Sequence, residues 1–164
     1  MLWIRGFIFT LLVPAVLGFV LPATIDPPRR RPGGVWIAVG MLIYGLCLIR
    51  FLLAGGTPAI FFSRRWRLLI GEEPESLVSA GLYRFSRNPM YVGVLMVVLG
   101  QAMLFASLRL VAYGCALFLF FHLTVVFAEE PHLRATRGQS YDVYCQAVPR
   151  WLGLPRRRRN LTPH

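Results

Sequence analysis

Two short stretches hold most of the side chains able to do chemistry. One is SRNPMY (86–91), with Arg87, Asn88, Pro89, Met90 and Tyr91; the other is AEE (128–130), with Glu129 and Glu130. Each lies at the end of a long apolar run, and acidic side chains at membrane depth are costly and usually have a task. A carboxylate suits the hydroxyls of a ribose, and an asparagine serves a carboxylate or an adenine edge. His122 lies within the apolar run that ends at Glu129. Seven residues apart on a regular helix, the two fall on nearly one face. A histidine there is either a general base for a thiol or amine or a polar group satisfied by a neighbouring helix.

A helical hairpin must position these residues. Residues 89–106 and 110–128 read as apolar spans joined by a tight turn at Ser107, Leu108 and Arg109. Pro89 fits the first helical turn, where its missing N–H costs nothing. At 1.5 Å per residue the chain rises about 27 Å and falls about 31 Å, so both spans end at one membrane face and SRNPMY meets AEE. Gly93 and Gly100, seven apart, leave room for close backbone packing. On spacing alone, Arg87 beside Glu129 or Glu130 is also an ordinary interfacial ion pair, and Tyr91 an aromatic-belt residue.

The whole chain fits that setting. Of 164 residues, 56% are hydrophobic and 15% charged, less charge than a soluble domain carries. The apolar residues fall into four blocks, near 4–21, 35–54, 89–106 and 110–128. The expected fold is all-α: a polytopic membrane helix bundle of about four transmembrane helices plus short C-terminal interfacial helices. The first block reads as a retained anchor, since no small-x-small cleavage site follows. Glu129 and Glu130 are expected to stop the fourth span. EEPHLRATRG (129–138) reads as a short helix ended by Gly138, and Ser140 as the cap of another with Asp142 in its first turn. Gln101 reads as an interhelical hydrogen-bonding residue and Arg50 as a snorkelling one. The organisation is an N-terminal helix pair (1–56), a core (57–154) and a basic tail (155–164).

Net charge is +11, and all 18 basic residues are arginine. Without lysine there is no Schiff base, pyridoxal phosphate site or P-loop. The arginines flank apolar spans, so they serve lipid headgroups and topology rather than nucleic acid, of which no signature is present. With four spans, the N-terminus, residues 55–88 and the C-terminus share one side, which holds most of the arginines against Arg29–Arg31 and Arg109 on the other; the richer side is expected to be cytoplasmic, with both termini there, at the cytoplasmic membrane. Cys47, Cys115 and Cys145 form no CxxC or Cys/His pattern, so neither a disulfide framework nor a metal site is expected.

The run ESLVSAGLYRFSRNPMYVGVLMVVLGQAML, followed by EEPHL, RGQSYDVY and VPRWL, covers about residues 75–153. It resembles the isoprenylcysteine carboxyl methyltransferase family, which is related to the membrane phospholipid N-methyltransferases. The resemblance implies S-adenosylmethionine bound at the cytosolic mouth of the bundle and a lipophilic carboxylate, amine or thiol as methyl acceptor. It implies cofactor contacts from Leu77, Val78, Tyr83, Asn88, Pro89, Met90, Tyr91, Glu129 and Glu130, with Tyr141 and Tyr144 helping to cover the site. His122 and Arg87 are the candidate catalytic residues. Three positions depart from the pattern: Val125 stands where the carboxyl methyltransferases have a substrate-associated arginine, Ala147 where an arginine is usual, and Ser140 where an acid is usual. The cofactor half is kept better than the substrate half. Two other readings are a nicotinamide-dependent (NADPH) membrane reductase on a related scaffold and a non-catalytic membrane protein.

Overall fold

In hydrocarbon a chain must satisfy its backbone within itself, so long apolar runs fold as helices. The computed structural model describes residues 16–20, 33–54 and 78–154; every regular element among them is helical and none is a strand. The elements are α1 (Gly34–Leu53), α2 (Pro89–Phe105), α3 (Leu108–Thr124), α4 (Glu130–Arg137) and α5 (Gln139–Ala147). A π turn, Val125–Glu129, joins α3 to α4, and a 3-10 turn, Gly81–Arg84, precedes α2. Of the first expected span only Val16–Val20 is described, as a π turn. The Arg29–Arg31 run, RRWR (64–67), Leu77 and the basic tail lie outside the described residues.

Helix α2 is the centre of the bundle. It packs on α1, on α3 and on the Val16–Val20 turn. Its contact with α1 is made by reciprocal glycines, for without side chains two backbones can touch. Gly40 faces Gly93, and Gly33 faces Gly100. A Cβ on Gly40 would lie 2.6 Å from the Gly93 carbonyl oxygen, and one on Gly93 2.8 Å from that of Gly40. The sequence showed the α2 half of this pair; its α1 half, Gly33 and Gly40, was not anticipated. Gly40→Leu is expected to lower the thermal unfolding temperature in detergent by forcing the helices apart, a cost of about 3 kcal/mol. Gly45→Leu on the same helix, where an added Cβ meets nothing within 4 Å, is expected to leave it unchanged.

Against α3, α2 uses ordinary apolar packing: Val94 and Val98 meet Leu117 and Phe121, all buried. Gln101 donates from Nε2 to the Gly18 carbonyl at 2.5 Å, the interhelical bond expected of it. The outer sides of the helices are greasy. Leu42, Leu46, Ile49 and Leu53 of α1, with Leu119, Leu123 and Phe127 of α3 and the π turn, are exposed, as in a bundle solvated by lipid. α1 and the continuous 30-residue helix Leu108–Arg137 are long and apolar enough to cross a membrane, while the apolar α2 has 17 residues.

Three local expectations need correction. The hairpin turn is Ala106–Ser107, with Leu108 and Arg109 already in α3. Ala106 is left-handed (φ 50°), and Ser107 Oγ accepts the Leu110 N–H at 3.3 Å, capping α3. Glu129 and Glu130 do not stop the helix that begins with α3. Pro131 has no N–H and its ring clashes with the carbonyl four residues back; the ladder slips to the π form, with Glu130 N–H donating to the Val125 carbonyl, and continues to Arg137. Finally, Ser140 is not a cap: α5 starts at Gln139, and Ser140 Oγ donates back to the Arg137 carbonyl at 2.7 Å. Gly138 separates α4 from α5 as expected, its positive φ of 53° being one that a side chain would strain.

Candidate functional site

The site begins at the turn that opens α2. Ser86, almost wholly buried, accepts the Asn88 N–H on its Oγ at 3.1 Å. Pro89 takes the first turn of α2, and Tyr91 follows on the side facing α3. Tyr91 stacks on Phe121 with ring centroids 4.4 Å apart and an interplanar angle of 21°. Its hydroxyl donates to Glu129 Oε1. The hairpin geometry read from spacing is therefore present: the start of α2 and the π turn that follows α3 are neighbours.

The two adjacent carboxylates do different things. The π turn adds a residue to the ladder and so turns Glu129 by about one residue's rotation, roughly 100°, relative to a regular helix. Glu129 goes to Tyr91. Glu130, 3% exposed, goes to arginine. Arg150 reaches it twice, Nε to Oε1 at 2.6 Å and Nη2 to Oε2 at 3.0 Å. Arg87 Nη1 donates to Oε1 at 3.1 Å, and Arg134 Nη2 lies 3.8 Å from Oε2. The ion-pair reading of the sequence thus holds for Arg87 with Glu130, leaving Glu129 outside the pair. Such a bidentate, buried arrangement fixes geometry.

Arg150 belongs to a strap, residues 148–153, that is stitched to the turn before α2. The Arg87 N–H donates to the Pro149 carbonyl at 3.0 Å, and the Gly153 N–H to the Phe85 carbonyl at 3.2 Å. Asn88 Nδ2 donates to the Arg150 carbonyl at 3.0 Å. Asn88 therefore spends a donor on the scaffold and keeps its amide oxygen. Arg87 Nη1 also reaches Cys145 Sγ at 2.8 Å.

The tyrosines of the motifs form a second wall. Tyr83 is buried beneath the end of α1, its ring 5.8 Å from Phe51. Its carbonyl accepts from the Tyr144 hydroxyl at 2.8 Å. Tyr141, also buried, lies 6.2 Å from Tyr144 ring to ring. Burial pushes the phenols of Tyr83, Tyr141 and Tyr144 well above their ordinary value, so all three remain neutral O–H donors. The hydrogen bond to Glu130 raises Arg150 further above an ordinary guanidinium.

His122 is placed by something the sequence did not suggest. Its Nδ1 accepts the Trp151 indole N–H at 3.2 Å, and Phe118 closes the cluster, 4.9 Å from the Trp151 ring. Val78 and Met90 are each half-buried. Among the described residues, no three His, Cys, Asp or Glu side chains gather as metal ligands. Arg134, Cys145, Arg150 and Trp151 were not anticipated as contributors. Arg150 and Trp151 did stand in the VPRWL motif, which was the available signal; nothing in the sequence marked Cys145 or Arg134.

The arrangement offers one carboxylate held by a tyrosine, a stacked aromatic pair beneath it, and a neighbouring anion already neutralised. A family description for phospholipid methyltransferases matches residues 35–140. Over 85 residues the chain is 38% identical to a "Probable protein-S-isoprenylcysteine O-methyltransferase" of Oryza sativa subsp. indica, covering 51% of this chain and 43% of the relative. A "Protein-S-isoprenylcysteine O-methyltransferase B" of Arabidopsis thaliana is 34% identical over 79 residues, 48% of this chain and 40% of that protein. The match thus spans less than half the length of these curated relatives, and no solved structure matches. The resemblance drawn from the motifs is borne out, and the chain belongs to the phospholipid methyltransferase family.

Proposed function

We propose that this protein is a membrane-embedded, S-adenosylmethionine-dependent methyltransferase whose acceptor is a lipophilic nucleophile. The observation that supports this reading most directly is the Tyr91–Glu129 contact across the mouth of the helix hairpin. It sets a carboxyl group, an acceptor for ribose hydroxyls, beside a stacked aromatic pair, a setting that also suits a cation such as a sulfonium. In this reading Glu129, Tyr91, Asn88, Pro89 and Met90 hold the cofactor, with Leu77 and Val78 before them and Tyr83, Tyr141 and Tyr144 covering it. Glu130 and Arg87 shape the site by clasping the strap. Bound there, the cofactor supplies an electrophilic methyl group. The protein's share is alignment of the nucleophile and exclusion of water.

Within the acceptor classes, the geometry favours an amine or thiol over a carboxylate. Position 125, four before Glu129, is a buried valine. Arg87, Arg134 and Arg150 all converge on Glu130. A substrate carboxylate would thus find no arginine at 125, and Arg87, Arg134 and Arg150 already held by Glu130.

The proposed topology has four spans, with residues 1–56 as an N-terminal pair, 57–154 as the methyltransferase core and a basic tail, and both termini cytoplasmic. Arg84, Arg87, Arg134, Arg137 and Arg150 crowd the mouth end and Arg109 the opposite turn, which supports a cytoplasmic mouth. The test is incubation of membranes containing the protein with radiolabelled methyl donor. Label entering an extractable lipid is expected; tight NADPH binding with no label transfer would replace this reading by a reductase.

A further inference from the structure

A neutral imidazole has one nitrogen that donates and one that accepts. In His122 the choice between them is made by Trp151. An indole N–H can only donate, so the Nδ1 that it meets at 3.2 Å presents a lone pair. The ring proton then sits on Nε2. Among the described residues Nε2 has no protein partner, although His122 is half-buried in an apolar helix. A polar N–H left unpaired there is costly. Around it the surface is open to lipid: Phe118 and Leu119 are exposed, and Trp151 is half-buried. Trp151 itself is anchored, because its neighbour Arg150 is held by Glu130 and Asn88.

We infer that Trp151 is a positioning residue that fixes His122 as an Nε2–H donor, and that His122 binds a hydrogen-bond-accepting oxygen of the lipid substrate rather than acting as a base. This rests on the methyltransferase reading for its substrate half only. The geometry gives the strap a task beyond holding the scaffold: it sets the tautomer of a side chain that faces the bilayer. A base at His122 would need Nε2 as the lone pair and would lose the indole bond.

Two measurements separate the parts. The first is the 15N spectrum of histidine-labelled protein in detergent, with the His122 signals identified by their loss in His122→Gln. The Nε2–H tautomer is expected in the wild type, and its preference is expected to relax in Trp151→Phe, which keeps the ring and drops the N–H. A wild-type His122 protonated on Nδ1, or unaffected by Trp151→Phe, overturns the inference whether or not the protein transfers methyl groups. The second is kinetics with phosphatidylethanolamine vesicles and N-acetyl-S-farnesylcysteine as probe acceptors. For the acceptor that takes label, KM is expected to rise about tenfold in His122→Phe and Trp151→Phe, with kcat within about twofold, and His122→Gln, which restores a donor, is expected to recover KM. A collapse of kcat at unchanged KM would make His122 a base and overturn the inference. If neither probe takes label, the methyltransferase reading fails with these acceptors while the tautomer measurement still decides the positioning role.

Discussion

Glu130→Ala is expected to lower the thermal unfolding temperature sharply. The Glu130 side chain is 4% exposed and the Arg87 side chain 12% exposed, and they lie 3.1 Å apart. Arg150 adds two more contacts to the same carboxylate. Removing one partner of a buried pair leaves the other charge uncompensated, which costs about 3–5 kcal/mol. Because Arg150 is partly open to solvent, about 3 kcal/mol is the more suitable figure here. That is a large share of the roughly 5–15 kcal/mol by which a domain is stable. The loss is also topological, since Arg150 anchors the strap to the turn before α2. Thermal unfolding in detergent, followed by helical circular dichroism, checks this. Arg134→Ala is the contrast: its side chain is 53% exposed and sits 3.8 Å from the carboxylate, so it is expected to cost less than about 1 kcal/mol. Equal losses from the two variants would mean that Glu130 is not a clasp.

Glu129→Gln should behave in the opposite way, with the fold kept and the activity lost. Arg87, Arg134 and Arg150 are all held by Glu130 rather than Glu129, and the glutamine oxygen can still accept from Tyr91. What disappears is the charge available to the cofactor's hydroxyls and sulfonium. Hydrogen bonds to a charged group are worth about 1.5–3 kcal/mol, so methyl transfer is expected to fall about a hundredfold at subsaturating cofactor. Tyr91→Phe keeps the stack on Phe121 and removes the hydroxyl, and is expected to cost about tenfold. The measurement is the initial rate of label transfer from S-adenosylmethionine at several cofactor concentrations. The expected pattern is a raised KM for cofactor in both variants, with an unfolding temperature close to wild type for Glu129→Gln.

These opposite expectations for adjacent residues mark the limit of the sequence. Period and hydropathy placed α1 and α2 to within a residue or so, and the tight turn between two spans of similar length fixed which ends would meet, because such a hairpin returns the chain to one face. What spacing could not show was the phase of the two glutamates. On a regular helix, His122 and Glu129 share a face. Pro131 shifts the ladder into the π form, which sends Glu129 to Tyr91 and Glu130 to the arginines. The shift depends on how a proline is absorbed inside a longer helix, which the neighbouring helices decide. The same holds for Trp151: its motif was visible, but the return of the strap to α3 is a tertiary fact. Gly33 and Gly40 were legible only with hindsight, since a glycine in an apolar run gains meaning from the glycine opposite it. The substrate side was the least legible, because Val125 and Ala147 remove familiar charges and put no new chemical group in their place.

The central claim is that Tyr91 and Glu129 wall a site for a sulfonium nucleotide. Equilibrium binding of labelled S-adenosylmethionine to purified protein in detergent, wild type beside Glu129→Gln, tests it most directly. The account predicts saturable one-site binding by the wild type and a loss of about a hundredfold in affinity in the variant at unchanged thermal stability. Wild-type protein that binds no cofactor, or a variant that binds it equally well, would contradict it.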